Sequence, residues 1–183
     1  MKYRTIVADP PWAYDDGFST QSRSAGRWKG PDVRRPLPYP AMSLSAIAAL
    51  PVADLADKDC RLFCWTTNRY LPASLAIVRG WGFTYRQALV WHKRDGNMGG
   101  SVAPNSAEFL IVATLGSPER LSKWRSSVIS TAAPKRHSTK PEVFLDLAEC
   151  VSPPPRLEMF ARSQRLGWDT WGNEALCHVE IGR

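Results

Sequence analysis

A chain of 183 residues, 44% hydrophobic and 22% charged, is long enough for one well-filled core, short for two, and too apolar to be disordered throughout. No apolar run approaches the length of a bilayer span, and the first residues lack the pattern of a signal peptide, so a cytoplasmic protein is expected rather than a membrane or secreted one. A net charge of +7, from 24 basic and 17 acidic residues, favours an anionic partner, nucleic acid above all.

The opening MKYRTIVADPPW reads as a buried strand through Ile6-Val7-Ala8, ended abruptly by Asp9-Pro10-Pro11-Trp12. A polar loop rich in Gly, Pro and Ser runs from about 15 to 40 and carries Arg23, Arg27, Lys29, Arg34 and Arg35. Ser43 or Ser45 is placed to cap a helix bearing Ile47, Leu50 and Leu55, which Pro51 interrupts. CRLFCWTT reads as a fully buried strand, and Leu71 to Val78 as a helix closed by Gly80. FTYRQALVWHK and AEFLIVATLG are strands on either side of the loop RDGNMGGSVAPNS. A second basic loop, about 117–138, leads to STKPEVFLDLAECV, where Thr139 and Glu142 have the spacing of a capping box. Val143, Phe144, Leu147, Ala148 and Val151 then share one helical face. RLEMFAR reads as the last strand, and SQRLGWDTWGNEA as a polar, Trp-rich close.

Strands alternating with helices imply an α/β fold, a mostly parallel sheet with helices on both faces, in a single domain over residues 1–183. Cys60, Cys64, Cys150 and Cys177 form no C-x-x-C pair, and His92, His137 and His178 no H-x-x-x-H, so no metal is expected. The two basic loops are expected to flank a site that approaches a phosphate backbone.

In open α/β sheets ligands bind beyond the carboxyl ends of the strands. The strands here end in Asp9-Pro10-Pro11-Trp12, in Thr66-Thr67-Asn68 and in Arg162-Ser163-Gln164, and these ends are expected on one edge. Two successive prolines fix the backbone and carry no amide donors, so Asp9 and the Pro10 carbonyl are expected to present outward acceptors, with Trp12 as a wall for a flat ligand. That set suits an exocyclic aromatic amine such as adenine N6, a poor nucleophile until its two hydrogens are held and its lone pair is turned to an electrophile. Orientation and electrostatics would do the work, with no covalent enzyme intermediate.

The segments ADPPW, PLPYPAMS, STKPEVF, RLEMFAR and WDTWGNE, in that order over nearly the whole chain, resemble the MT-A70 family of S-adenosylmethionine-dependent adenine N6-methyltransferases, and most of all its short bacterial and phage-type members. The resemblance implies a Rossmann-like methyltransferase sheet in permuted order, catalytic motif first and cofactor part near the C-terminus, in a bacterial cell or phage-infected host. It implies that Asp9, Pro10, Pro11 and Trp12 form the catalytic motif, and that Ala8, Asp9, Lys140, Phe160, Arg162, Ser163, Gln164, Asn173 and Glu174 meet the cofactor. Lys140 would stand beside the cofactor carboxylate at a helix N-terminus, and Asn173 and Glu174 at its ribose hydroxyls. Tyr39, Lys93, Asn105, Glu108, Arg136 and His137 fall on the substrate side.

Two departures stand out. The bacterial pattern Arg-Asn-x-His-Glu is here Pro104-Asn105-Ser106-Ala107-Glu108, which keeps Asn105 and Glu108 only, and RSQ replaces a more basic stretch after the last strand. No G-x-G-x-x-G is present, against a dinucleotide enzyme. The expected activity is methyl transfer from S-adenosylmethionine to adenine N6 in nucleic acid, DNA before RNA, on a base flipped out of its stack. The alternatives are an RNA adenosine methyltransferase, a catalytically silent nucleic-acid-binding subunit of a methyltransferase complex, and a small-molecule amine methyltransferase. The intact Asp9-Pro10-Pro11-Trp12 argues against the silent subunit. A homodimer or a methyltransferase-like partner subunit is compatible with the chain.

Overall fold

Side chains along a strand alternate between the two faces of a sheet, so the continuous apolar runs IVA and LFCW place apolar residues on both, and both faces are covered. The structure, a computed structural model, describes residues 1–13, 40–94, 102–132, 134 and 139–181. The elements run β1 (Tyr3–Ala8), α1 (Leu44–Ala48), α2 (Val52–Leu55), β2 (Ala56–Thr67), α3 (Leu71–Gly80), β3 (Thr84–Lys93), β4 (Ala107–Leu115), β5 (Val128–Thr131), α4 (Val143–Val151), β6 (Arg156–Met159) and β7 (Asp169–Trp171). They build a seven-stranded sheet in the order β5-β3-β4-β2-β1-β6-β7. β4 runs antiparallel to β2 and β3, and the other pairs are parallel. This is the mixed, mostly parallel sheet of a Rossmann-like methyltransferase.

Ile6 and Ala8 of β1 with Leu62 and Cys64 of β2 pack with Ile47, Val52, Ile77 and Val78 of α1, α2 and α3. On the opposite face Val7, Phe63, Trp65, Leu110 and Trp91 pack with Phe144, Leu147 and Ala148 of α4. A one-residue slip would exchange the two sets, so the register is strongly fixed. Ser43 caps α1 by accepting the Ala46 amide at 3.1 Å, and Pro51 separates α1 from α2, both as expected.

Several expectations are corrected. β5 lies inside the stretch read as a basic loop and β7 inside the Trp-rich close; at four and three residues neither is long enough to show a period. The capping box does not form: α4 is capped by Glu142 without a side-chain hydrogen bond, the Pro141 carbonyl accepts the Phe144 amide at 3.1 Å, and Thr139 Oγ1 is buried without a partner among the described residues. Pro141 starts the helix turn, which leaves Thr139 too far upstream to cap it.

The second basic loop does not flank the catalytic edge over its first half. Arg61, level with Thr5 of β1, donates to the carbonyls of Pro118 and Glu119, Arg4 pairs with Glu119 at 3.0 Å, and the Leu121 amide donates to the Val151 carbonyl at the end of α4. These contacts hold residues 117–121 at the amino ends of β1 and β2, across the sheet from Asp9. β5 then carries the chain back towards the carboxyl edge, ending at Thr131 beside Lys93 of β3. Most of the first basic loop, with Tyr39, and Arg136 and His137 of the second lie outside the described residues.

Candidate active site

Asp9 follows the last residue of β1, and alternation puts it with Val7 on the α4 face of the sheet. On the same face, Glu158 of β6 sits opposite Val7, and Thr67 of β2 sits opposite Glu108 of β4. Over this row lies the segment entering α4, which carries Lys140. The Lys140 ammonium donates to Asp9 Oδ2 at 2.8 Å, stands 3.5 Å from Glu108 Oε2 and lies 5.4 Å from the centre of the Trp65 ring. Lys93 pairs with the other Glu108 oxygen and lies 4.9 Å from the centre of the Trp91 ring. A chain of alternating charge, Lys93-Glu108-Lys140-Asp9, therefore joins the ends of three strands and the segment entering one helix.

Asp9, Thr139, Lys140 and Glu158 line a cavity of about 290 Å³, with Val7, Trp65, Leu110, Phe144 and Phe160 for its apolar walls and Arg162, Ser163, Gln164 and Arg165 on its far side. The volume lies at the small end of ligand pockets, which run from roughly 300 Å³ upward. Burial raises the Asp9 carboxyl above the ordinary carboxylate range, Lys140 opposes that rise and Glu108 adds to it. Glu158 is pushed up to about 7, by burial first and by the charge of Asp9 second, with Arg165 opposing. Phe160 holds a left-handed backbone, φ 64°, and packs edge-on to Trp171 at 5.1 Å. Strain of that kind collects at functional sites.

The sequence-derived residues divide clearly. Asp9, Lys140, Phe160, Arg162, Ser163 and Gln164 line the cavity, and Glu108 and Lys93 join it through Lys140. Ala8 does not reach it. Its side chain points to the other face, fully buried beside Ile6, because alternation gives Val7 and Asp9 to the cavity. Asn173 and Glu174 stand outside the cavity lining on an exposed loop after β7, with Glu174 Oε1 3.9 Å from Arg162 Nε. That loop is drawn tightly onto the end of β6, where a Cβ on Gly172 would stand 2.3 Å from the Ala161 carbonyl oxygen. Asn105 accepts a hydrogen bond from Asn68 at 3.0 Å on the exposed rim. Tyr39, Arg136 and His137 lie outside the described residues.

The prolines and the tryptophan behave differently from the expectation. The Pro10 carbonyl accepts the Trp12 amide and the Pro11 carbonyl accepts the Met42 amide, each at 2.9 Å, so both prolines shape a tight turn and neither carbonyl is without a donor. Each carbonyl keeps a second lone pair. Trp12 is a core residue at 4% exposure rather than an open wall, its ring stacked on Tyr70 at 5.3 Å and 15° and its N–H donating to the Trp65 carbonyl at 3.3 Å. Trp12→Ala is accordingly expected to cost about 3–5 kcal/mol of stability in urea unfolding, the range for a large buried aromatic. A loss below 1 kcal/mol would place the indole outside the core.

Glu158, Thr139 and Arg165 were not singled out from the sequence. Glu158 carried a signal: a carboxylate between Leu157 and Met159 in a strand with no other reason to be polar. Thr139 was masked by its fit to a capping box, and Arg165 by its polar surroundings.

Comparison with known proteins adds independent support. A family model described as MT-A70 matches residues 3–174. The type II methyltransferase M.MunI of Mycoplasma sp is 31% identical over 94% of this chain and 78% of its own length. The N6-methyladenosine RNA methyltransferase MTA1 of Pyricularia oryzae is 29% identical over 95% of this chain and 47% of its own. The N(6)-adenine-specific methyltransferase METTL4 of Mus musculus is 26% identical over 95% and 38%. The chain thus spans most of the first relative and less than half of the other two.

Proposed function

The chain belongs to the MT-A70 family, an adenine-specific N6-methyltransferase lineage acting on nucleic acid, and from that premise we propose that it takes its methyl group from S-adenosylmethionine and delivers it to adenine in DNA. The observation that carries the reading is the Asp9-Lys140-Glu108 cluster at the mouth of a cavity that ends on Arg162, Ser163 and Gln164.

The cavity fits that cofactor on its donor chemistry. The charged groups of the lining, Asp9, Glu142 and Glu158 against Lys140, Arg162 and Arg165, are mixed in sign, which suits a guest that carries both a cationic centre and a carboxylate. Thr139 Oγ1 is buried on the wall without a partner among the described residues, and Arg162, Ser163 and Gln164 suit the carboxylate and hydroxyl groups of an amino-acid nucleoside. S-adenosylmethionine, when bound, supplies a methyl group made electrophilic by its sulfonium.

The chain's own residues handle the acceptor. Lys140 engages Asp9 Oδ2, which assigns Oδ1 to one hydrogen of the adenine amine. The second lone pair of the Pro10 carbonyl takes the other hydrogen, so the nitrogen lone pair turns away from the ring. Trp12, stacked on Tyr70, holds the motif rigid from beneath. Preorganised acceptors of this kind act best where water is excluded; Asp9 is 24% exposed at the cavity wall, and a bound cofactor and base would complete its enclosure. Asn68, Arg69, Arg94 and Asn105 line the adjoining rim at the strand ends, where a phosphate backbone or a flipped nucleotide would approach.

The preference for DNA rests on extent of likeness: the chain spans 78% of the type II methyltransferase but 47% of the RNA methyltransferase. Labelled methyl transfer to duplex DNA, single-stranded DNA and RNA of one base sequence tests it. The DNA strands are expected to take up label faster; a higher rate on RNA reverses the substrate assignment.

Glu158 gives a pH signature. Its folded value of about 7 lies above its unfolded value of 4.5, so the unliganded protein is expected to lose stability as pH rises from 4.5 to 7, by up to about 3 kcal/mol, and to change little above. A cationic guest reverses the sign, because ionised Glu158 attracts it. Cofactor affinity is therefore expected to rise about tenfold between pH 6 and 8, and to flatten in Glu158→Gln. Calorimetric titration at the two pH values decides, and an equal slope in the variant removes Glu158 from the site.

A further inference from the structure

Helix α4 also holds the far wall of the cavity, through residues the proposed chemistry does not use. Asp146 and Glu149, three positions apart on one face of α4, together receive Arg165. Arg165 Nε donates to Glu149 Oε1 at 2.7 Å, and Nη2 donates to Glu149 Oε2 at 3.1 Å and to Asp146 Oδ1 at 2.6 Å. The indole N–H of Trp168 donates to the same Glu149 Oε1 at 2.6 Å, and its ring is buried among the residues that pack Phe144 and Leu147.

Arg165 and Trp168 are the two ends of one turn. The Trp168 amide donates to the Arg165 carbonyl at 3.1 Å, and Gly167 takes φ +80°, the conformation a type II turn requires of its third residue. Leu166, at the apex, is 99% exposed, so the turn has no apolar anchor of its own between those ends. Its placement depends on the two side chains that Glu149 receives. A guanidinium fork on a carboxylate fixes direction as well as distance. The residues just before this turn, Arg162, Ser163 and Gln164, are the cavity's far wall.

We propose that Glu149 is a positioning residue for cofactor binding, setting residues 162–168 through Arg165 and Trp168 against the same helix whose entering segment brings Lys140 to Asp9. One helix then spaces the cofactor wall from the acceptor-holding carboxylate, with Lys140 at one end and Glu149 near the other. The inference rests on the cofactor reading given above. If the clamp serves only the fold, its loss lowers stability and leaves cofactor binding alone.

The test combines calorimetric titration with S-adenosylmethionine, steady-state methyl transfer and thermal unfolding on the full chain, its Glu149→Gln variant and its Trp168→Phe variant. Glu149→Gln is expected to raise the cofactor Kd and KM about tenfold while kcat at saturating cofactor stays within about twofold, the pattern of lost uniform binding. Trp168→Phe keeps a ring in the core and removes only the N–H, and is expected to raise the Kd about threefold. Should either variant melt lower with Kd and KM unchanged, the clamp is structural and the proposal is overturned. Should the unaltered chain fail to bind S-adenosylmethionine, the cofactor reading falls, and this inference falls with it.

Discussion

Asp9→Asn is expected to lower methyl transfer at saturating cofactor by about a thousandfold while the protein stays folded. The substitution keeps the shape of the side chain and removes its charge. Burial already disfavours that charge, so the fold loses little by its removal, whereas the acceptor loses the group that holds its hydrogen. The amide also turns one acceptor oxygen into a donor, which repels an amine hydrogen directly. Lys140 is left with Glu108 at 3.5 Å, a longer contact than the 2.8 Å it gives up. The measurement is the initial rate with saturating cofactor beside a thermal unfolding curve. A folded variant that keeps more than a tenth of the rate would remove Asp9 from the chemistry.

Lys140→Met is the second large effect, and its signature is a displaced pH profile as well as a slower rate. The ammonium sits between Asp9 and Glu108 and lies 19% exposed; it is the nearest opposing charge for Asp9, and it shares Glu108 with Lys93. Its loss leaves burial and the repulsion of Glu108 acting together on Asp9, both of which raise the carboxyl. More of Asp9 is then protonated at neutral pH. Turnover at pH 7 is expected to fall about a hundredfold, the order for losing one preorganised charge from an active site, and to recover in part as pH rises and Asp9 ionises again. The cofactor Kd is expected to rise as well. An acid limb of kcat/KM at the same pH as in the unaltered chain would show that Lys140 does not govern Asp9.

These two residues were legible in the sequence because each sits at a transition a period can reveal. Asp9 ends a run of buried residues, and Lys140 precedes the most clearly amphipathic helix. The sheet's two faces were legible for the same reason, since Ile6, Val7 and Ala8 alternate between cores. Shorter features were not: β5 and β7 are held by neighbouring strands rather than by their own pattern, and only tertiary pairing defines them. Trp12 was misread because a tryptophan after two prolines looks exposed by sequence, while the turn they make folds it back onto Tyr70. The basic stretch from Ser117 was placed beside the site on charge, and Arg61 and Arg4 instead tie its start to the opposite edge. Charge reports what a segment favours as a partner, whereas its position depends on hydrogen bonds that composition does not contain.

The most direct test of the whole account is nucleoside analysis after incubation of the protein with methyl-labelled S-adenosylmethionine and adenine-containing duplex DNA, single-stranded DNA and RNA. Label is expected at N6 of adenine with the unaltered chain, most of it from DNA, and none with Asp9→Asn. A folded protein that binds both cofactor and nucleic acid and leaves no label at N6 in any of the three would contradict it.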